Sequence, residues 1–415
     1  MPVNRVVITG MGAITPSGLD VETLWDAVVT GRSAITTLTG PEFDGLAVRI
    51  GGRVRGFETT LPTVLARRLT PVQHWALAAA DQALFQAGAR DGALPWNRER
   101  TAVIAATGSG PVDAMQAATR ALDERGPRAV PLSLSMHGAP DAAAALISQH
   151  HRILGPAQGV SATCASGTIG LGEALRRIRH GYADAVVVVG MEDCLNGVNL
   201  SSNANMRALA SGYDADPTRA SRPFDTGHSG FVMAQGAAAL VLESTATAQA
   251  RGVQVLAELA GFGASSDAYH PTAPDPAGAG GARAIRAALA DARLEPRDVD
   301  HINAHGTGTV AGDAAEMNAL EAALGTVARG IPISATKSST GHLLGASGTV
   351  EAVITIEGLR RGILPPTINL DDPAFPEWNV LTAPTPATAR TALSTSFGFG
   401  GHNGAIILRK APDGA

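Results

Sequence analysis

Cysteine is nearly missing from this chain: Cys164 and Cys194 are the only two in 415 residues. Two thiols cannot staple a large fold, and no Cys/His cluster has the spacing of a zinc site. Such sparing use of cysteine fits a reducing cytoplasm. Aromatic residues are scarce at 4%, charged residues make up only 17%, and the net charge is -5. Nothing in that balance suggests nucleic acid as a partner. No apolar run approaches the length of a membrane span. The N-terminal MPVNRVVITGMGAITPSG has a short apolar run broken by Gly10 and Gly12. It reads as a strand leading into a loop rather than a signal peptide. The expectation is a cytoplasmic protein with no membrane and no nucleic-acid contact.

What the chain does have is glycine and alternation. Its 48 glycines imply tight turns and close backbone approaches. Strands are expected at Arg5–Thr9, Thr101–Ala106, Gly159–Thr163, Ala183–Gly190 and Ala237–Leu242. Helical patterns lie between them at Pro71–Gln86 and Ile169–His180. After about residue 250 the alternation restarts, with strands at Val253–Ala260, Val299–Ala304, Ile331–Ala335, Ala392–Ser396 and Gly404–Leu408. Helices are expected there at Ala282–Ala292, Ala314–Leu324 and Val350–Arg360. Runs such as Ala185–Val189 are apolar on both faces, as in a buried sheet. The pattern predicts a layered α/β fold built from a duplicated unit, with halves 1–250 and 251–412. Asp371–Glu377, acidic and holding two prolines, reads as a surface loop. GMGAITPSG begins like a dinucleotide fingerprint, but Thr15 takes the place of the third glycine and no acidic partner follows.

Cys164 stands in GVSATCASGTIGLGEA, between a strand and a helix. Free N–H groups and the positive helix end favour thiolate there, and can lower a thiol to roughly 3.5 to 7.5. A small, inert buried residue is the other reading of this stretch. Cys194, in GMEDCLNG, reads as structural. A nucleophilic thiol needs charge-stabilising partners. NAHGTGT supplies His305, and SATKSSTGHLLGASG supplies Lys337 and His342, each in a loop after a strand. The other nine histidines, His301 and His402 among them, read as structural or solvated.

Together, ATCASG, NAHGTGT, TKSSTGHLLGASG and SFGFGGHN resemble the β-ketoacyl-[acyl-carrier-protein] synthases, most closely the elongating type II group of fatty-acid and polyketide pathways. ASRPFD, SSDAYH and PPTINLDDP extend the likeness over nearly the whole chain. The resemblance implies a thiolase-like fold, two βαβαβαββ halves forming a five-layered α-β-α-β-α core. It implies a Cys164 thioester, His305 and His342 stabilising an enolate, and Lys337 holding a charge network with Glu316. It further implies an oxyanion hole from the N–H groups of Cys164 and Phe399, and a Phe399–Gly400 gate. Thr307 and Thr309 would bind the phosphopantetheine arm, and Arg67, Arg68 and Arg207 an acyl carrier protein. No bound cofactor is implied, since the substrates ride on the carrier's phosphopantetheine. Partners would be that carrier and a second chain, as a homodimer or as a heterodimer with a ketosynthase-like chain-length subunit.

Some residues depart from the family pattern. Thr163 stands where alanine often precedes the thiol, and its branching is expected to reshape the pocket or the dimer contact. Ser229 and Gln235 replace acidic residues, removing negative charge beside the gate. Pro111 stands where the family often lines its acyl pocket. These point toward a specialised polyketide or polyene pathway, with fatty-acid elongation the alternative. A thiolase would need another cysteine in the second half, an initiating synthase asparagine at His342, and a non-catalytic chain-length subunit would lack Cys164.

Overall fold

The computed structural model describes residues 4–411, so residue 412, the expected end of the second half, lies outside it. Ten strands join edge to edge. The first half contributes β1 (Val6–Ile14), β2 (Thr101–Ala106), β3 (Ala157–Val160), β4 (Ala185–Glu192) and β5 (Gly236–Ser244). The second contributes β6 (Ala257–Ser266), β7 (His301–Asn303), β8 (Ile333–Ser334), β9 (Thr391–Gly398) and β10 (His402–Lys410). β1 meets β6 through Val6–Ile8 against Ala257–Leu259. Outward from that join the order is β1-β5-β4-β2-β3 on one side and β6-β10-β9-β7-β8 on the other. Each half thus arranges its five strands first, fifth, fourth, second, third. The pairing senses match as well: two antiparallel pairs, then two parallel ones.

The helices repeat the same plan. α1 (Pro71–Gln86) and α2 (Ala142–His151) cover the outer face of the first half, and α4 (Ala279–Ala292) and α5 (Val310–Leu324) that of the second. α3 (Ser166–Arg179) and α6 (Ser347–Arg361) lie between the halves and touch strands of both. This is the α-β-α-β-α layering that the resemblance implied. β4 shows why the run Ala185–Val189 is apolar on both faces. Val186 and Val188 face the central helices, while Val187 and Val189 face α1 and α2.

Several bounds differ from expectation: the strand expected at Gly159–Thr163 runs Ala157–Val160, and Thr163 stands in a tight turn with Cys164. β1 does not stop at Thr9 but continues through Gly10 and Gly12 to Ile14. A Cβ on those glycines would lie 2.0 Å from the Ala83 carbonyl oxygen and 2.1 Å from that of Ala79, so their bareness lets the strand rest on the α1 backbone. β6 starts at Ala257, later than Val253, because its register is set by pairing with β10. It repeats the glycine device: Gly261 and Gly263 rest on the Ala288 and Ala284 carbonyls of α4.

The central helices meet at their N-termini. A Cβ at Gly348 would lie 2.3 Å from Thr168 Oγ1 and 2.5 Å from its backbone nitrogen. Gly348→Ala should therefore overpack this contact and destabilise the fold by about 1–3 kcal/mol. Urea denaturation would show the lowered midpoint; an unchanged midpoint would contradict the close approach.

Candidate active site

The crossing of α3 and α6 brings the expected site residues together. Cys164 lies in a tight turn, Thr163–Ala165, immediately ahead of α3. Lys337–Leu344 precede α6, and His305 follows β7 at the end of the second sheet half. Cys164, His305 and His342 line one cavity. Thr307, Thr309 and Phe399 share its wall.

Lys337 is 1% exposed, and its ammonium makes three contacts. It donates 2.7 Å to the His305 carbonyl, lies 3.2 Å from His305 Nδ1, and pairs with Glu351 Oε1. An ammonium has only donors, so Nδ1 accepts and the His305 proton sits on Nε2. His342 Nδ1 lies 2.9 Å from Ser347 Oγ, and its Nε2 has no partner among the described residues. The two imidazoles stand edge to face, 5.4 Å between centroids. Burial, with the Lys337 charge second, holds both far below the ordinary histidine range. The cavity therefore holds two neutral imidazoles, with the N–H of His305 on Nε2.

Glu316 is not the anion of Lys337. Its oxygens accept from His305 N at 2.8 Å, Gly306 N at 2.7 Å and Thr395 Oγ1 at 2.7 Å. Those donors consume the carboxylate, which fixes the NAHG turn and leaves the ammonium to Glu351. Burial raises Glu351 to about 7 against the pull of Lys337. Its sequence signal was a lone acid in the apolar helix GTVEAVITI. Glu192 was missed too. It is buried and accepts from Gly108 N, Ser109 N and Gly345 N, tying the loop after β2 to the turn before α6.

The thiol also departs from expectation. Burial pushes Cys164 up to about 11, outweighing the Lys337 charge and the backbone N–H groups of Phe399 and Cys164 that act downward. The helix-start effect is present, but desolvation wins.

Phe399 lies 6.3 Å from Phe231, ring to ring, and its carbonyl accepts from Thr163 Oγ1 at 2.8 Å. Gly400 donates to the Pro271 carbonyl at 2.7 Å, which commits its N–H to the loop. Ser229 is exposed and Gln235 buried. Pro111 is buried outside the cavity wall, ahead of helix Val112–Arg125. Arg67, Arg68 and Arg207 are exposed and also outside it. Cys194 is buried and donates to the Ala234 carbonyl, and His301 bonds Ser334.

Residues 3–248 match the family model described as "Beta-ketoacyl synthase, N-terminal domain", and residues 256–371 its C-terminal domain. The 3-oxoacyl-[acyl-carrier-protein] synthase 2 of Vibrio harveyi is 39% identical over 99% of both chains. Two solved structures each match with TM-score 0.89, covering 99% of this chain and 100% of theirs. One is AntDE:AntF, a type II PKS acyl-carrier protein in complex with its ketosynthase bound to the hexaketide, at 29% identity. The other is the ishigamide ketosynthase/chain length factor, at 31%. The chain belongs to the β-ketoacyl synthase family, acyltransferases that form a carbon–carbon bond.

Two outcomes follow. Because burial favours the thiol form, alkylation of Cys164 by iodoacetamide should keep rising with pH beyond about 10. A plateau near the ordinary thiol value of about 8.5 would contradict the burial argument. Glu351→Ala strands a buried ammonium and should cost about 3–5 kcal/mol in chemical denaturation. An unaltered stability would mean that Lys337 has another counter-charge.

Proposed function

We propose that this chain catalyses decarboxylative condensation of a malonyl thioester with an acyl chain held on Cys164. The carrying observation is one cavity containing the thiol and two neutral imidazoles, with Lys337 fixing the His305 proton on Nε2. Cys164 attacks the acyl thioester of an acyl carrier protein. The carbonyl oxygen accepts from the N–H groups of Cys164 and Phe399. The carrier's phosphopantetheine thiolate leaves and takes up the proton given up by Cys164. The malonyl thioester then enters, its arm guided by Thr307 and Thr309. Its carboxylate–carbon bond breaks, carbon dioxide departs, and the electron pair forms an enolate. The Nε2–H groups of His305 and His342 donate to the enolate oxygen, a charge worth far more to stabilise in a dry site than in water. The enolate carbon attacks the Cys164 thioester, expels the thiolate, and gives a β-ketoacyl product; the thiolate regains a proton from solvent.

Arg67, Arg68 and Arg207 suit an acidic carrier, since none has a carboxylate within salt-bridge distance among the described residues. A second chain suits the open edge of β3, just ahead of which Leu154 is 66% exposed. That chain is either another copy or a chain-length subunit. Thr163, Pro111, Ser229 and Gln235 favour a specialised polyketide or polyene pathway. The 39% identity to a 3-oxoacyl-carrier synthase favours fatty-acid elongation as the second reading.

Intact-protein mass spectrometry with a panel of acyl carrier proteins tests this. The wild type should gain one acyl group and Cys164→Ala none, while His305→Ala should load normally yet condense about 10²–10³-fold more slowly. Loading on Cys164→Ala would overturn the assignment. Preferred transfer of saturated chains would select the fatty-acid reading.

A further inference from the structure

Thr163 holds a backbone conformation that its own side chain resists. Its φ is 48°, in the left-handed region where a β-branched residue is a genuine outlier. Strain of this kind persists only where surrounding contacts impose it, and it gathers at functional sites. Two contacts are visible. The Thr163 hydroxyl has one proton, with the Phe399 carbonyl at 2.8 Å and the Ala162 carbonyl at 2.9 Å. Gly398 makes room for it, since a Cβ there would lie 2.2 Å from Thr163 Oγ1 and 3.0 Å from Cys164 N. The neighbouring Phe399 N–H acts on the Cys164 sulfur. Residues 163 and 164 therefore hold Phe399 at both ends, one by its carbonyl and one by its N–H.

We infer that Thr163 is a positioning residue. Its hydroxyl latches the Phe399 carbonyl, aims the Phe399 N–H at the thiol, and keeps the Phe399 ring against Phe231 until an acyl chain displaces it. The inference rests on the roles proposed above for Cys164 and Phe399.

The test compares wild type, Thr163→Ser, Thr163→Val and Thr163→Ala at one pH, by iodoacetamide alkylation of Cys164 and by condensation kinetics. Loss of one ordinary hydrogen bond takes the Phe399 N–H off the sulfur and should slow alkylation in the Val variant about three- to tenfold and lower its kcat by a similar factor. KM for the acyl carrier should hold, and Ser should stay within about twofold of wild type in both assays. If Val fails to fold at this φ, Ala reads the same loss. Wild-type alkylation in the hydroxyl-free variants, or a Ser variant that behaves like them, overturns the latch. A hydroxyl-dependent alkylation rate in a protein that no acyl carrier loads would uphold the latch and sink the ketosynthase reading instead.

Discussion

The site depends on one ammonium placed where water cannot reach it. Lys337 is buried between the two halves and paired with Glu351, so its charge acts almost unscreened on its neighbours. It sets the tautomer of His305 by donating to Nδ1. Burial does most to keep both histidines neutral, and the Lys337 charge adds to it. That charge also draws the thiol toward thiolate, though not far enough to overcome burial. Removing a partner from such a pair leaves an uncompensated charge, and that penalty is what keeps the cluster together.

Duplication supplied two equivalent helix starts, and the molecule uses them differently. The turn before α3 carries Cys164. The segment before α6 carries Lys337 and His342, and the strand-end turn at His305 completes the set. Gly167 and Gly348 let the helices meet closely enough for residues of separate halves to share one cavity. Glu192 and Glu316 then anchor the flanking loops by accepting backbone N–H groups, work that needs a fixed acceptor and no proton transfer.

Much of this was legible in the letters. Thr101–Ala106 and Pro71–Gln86 were read to the residue, because β-branched and alanine-rich runs there agree with their packing. The clustering of Cys164, His305, Lys337 and His342 was expected from motifs and strand ends. The duplication itself left a trace that went unread: GMG in β1 and GFG in β6 both lie on the first helix of their half. Charge partners were harder. Glu316 and Glu351 are both acids within helices, and only the fold shows which one faces the ammonium. The direction of the thiol's shift was misjudged for a related reason. A helix start is visible in local sequence, whereas desolvation is a property of everything packed around it.

The protonated resting thiol has a chemical consequence beyond turnover. Peroxides and soft electrophiles attack thiolates, and a thiol held near 11 presents very little of that form at neutral pH. A resting thiol of this kind is thereby shielded from oxidation, and the reactivity proposed for it toward a thioester has to come from the bound substrate. A covalent inhibitor of this site has to carry enough shape to fill the cavity before its warhead matters, so selectivity would be gained by fit and not by intrinsic reactivity.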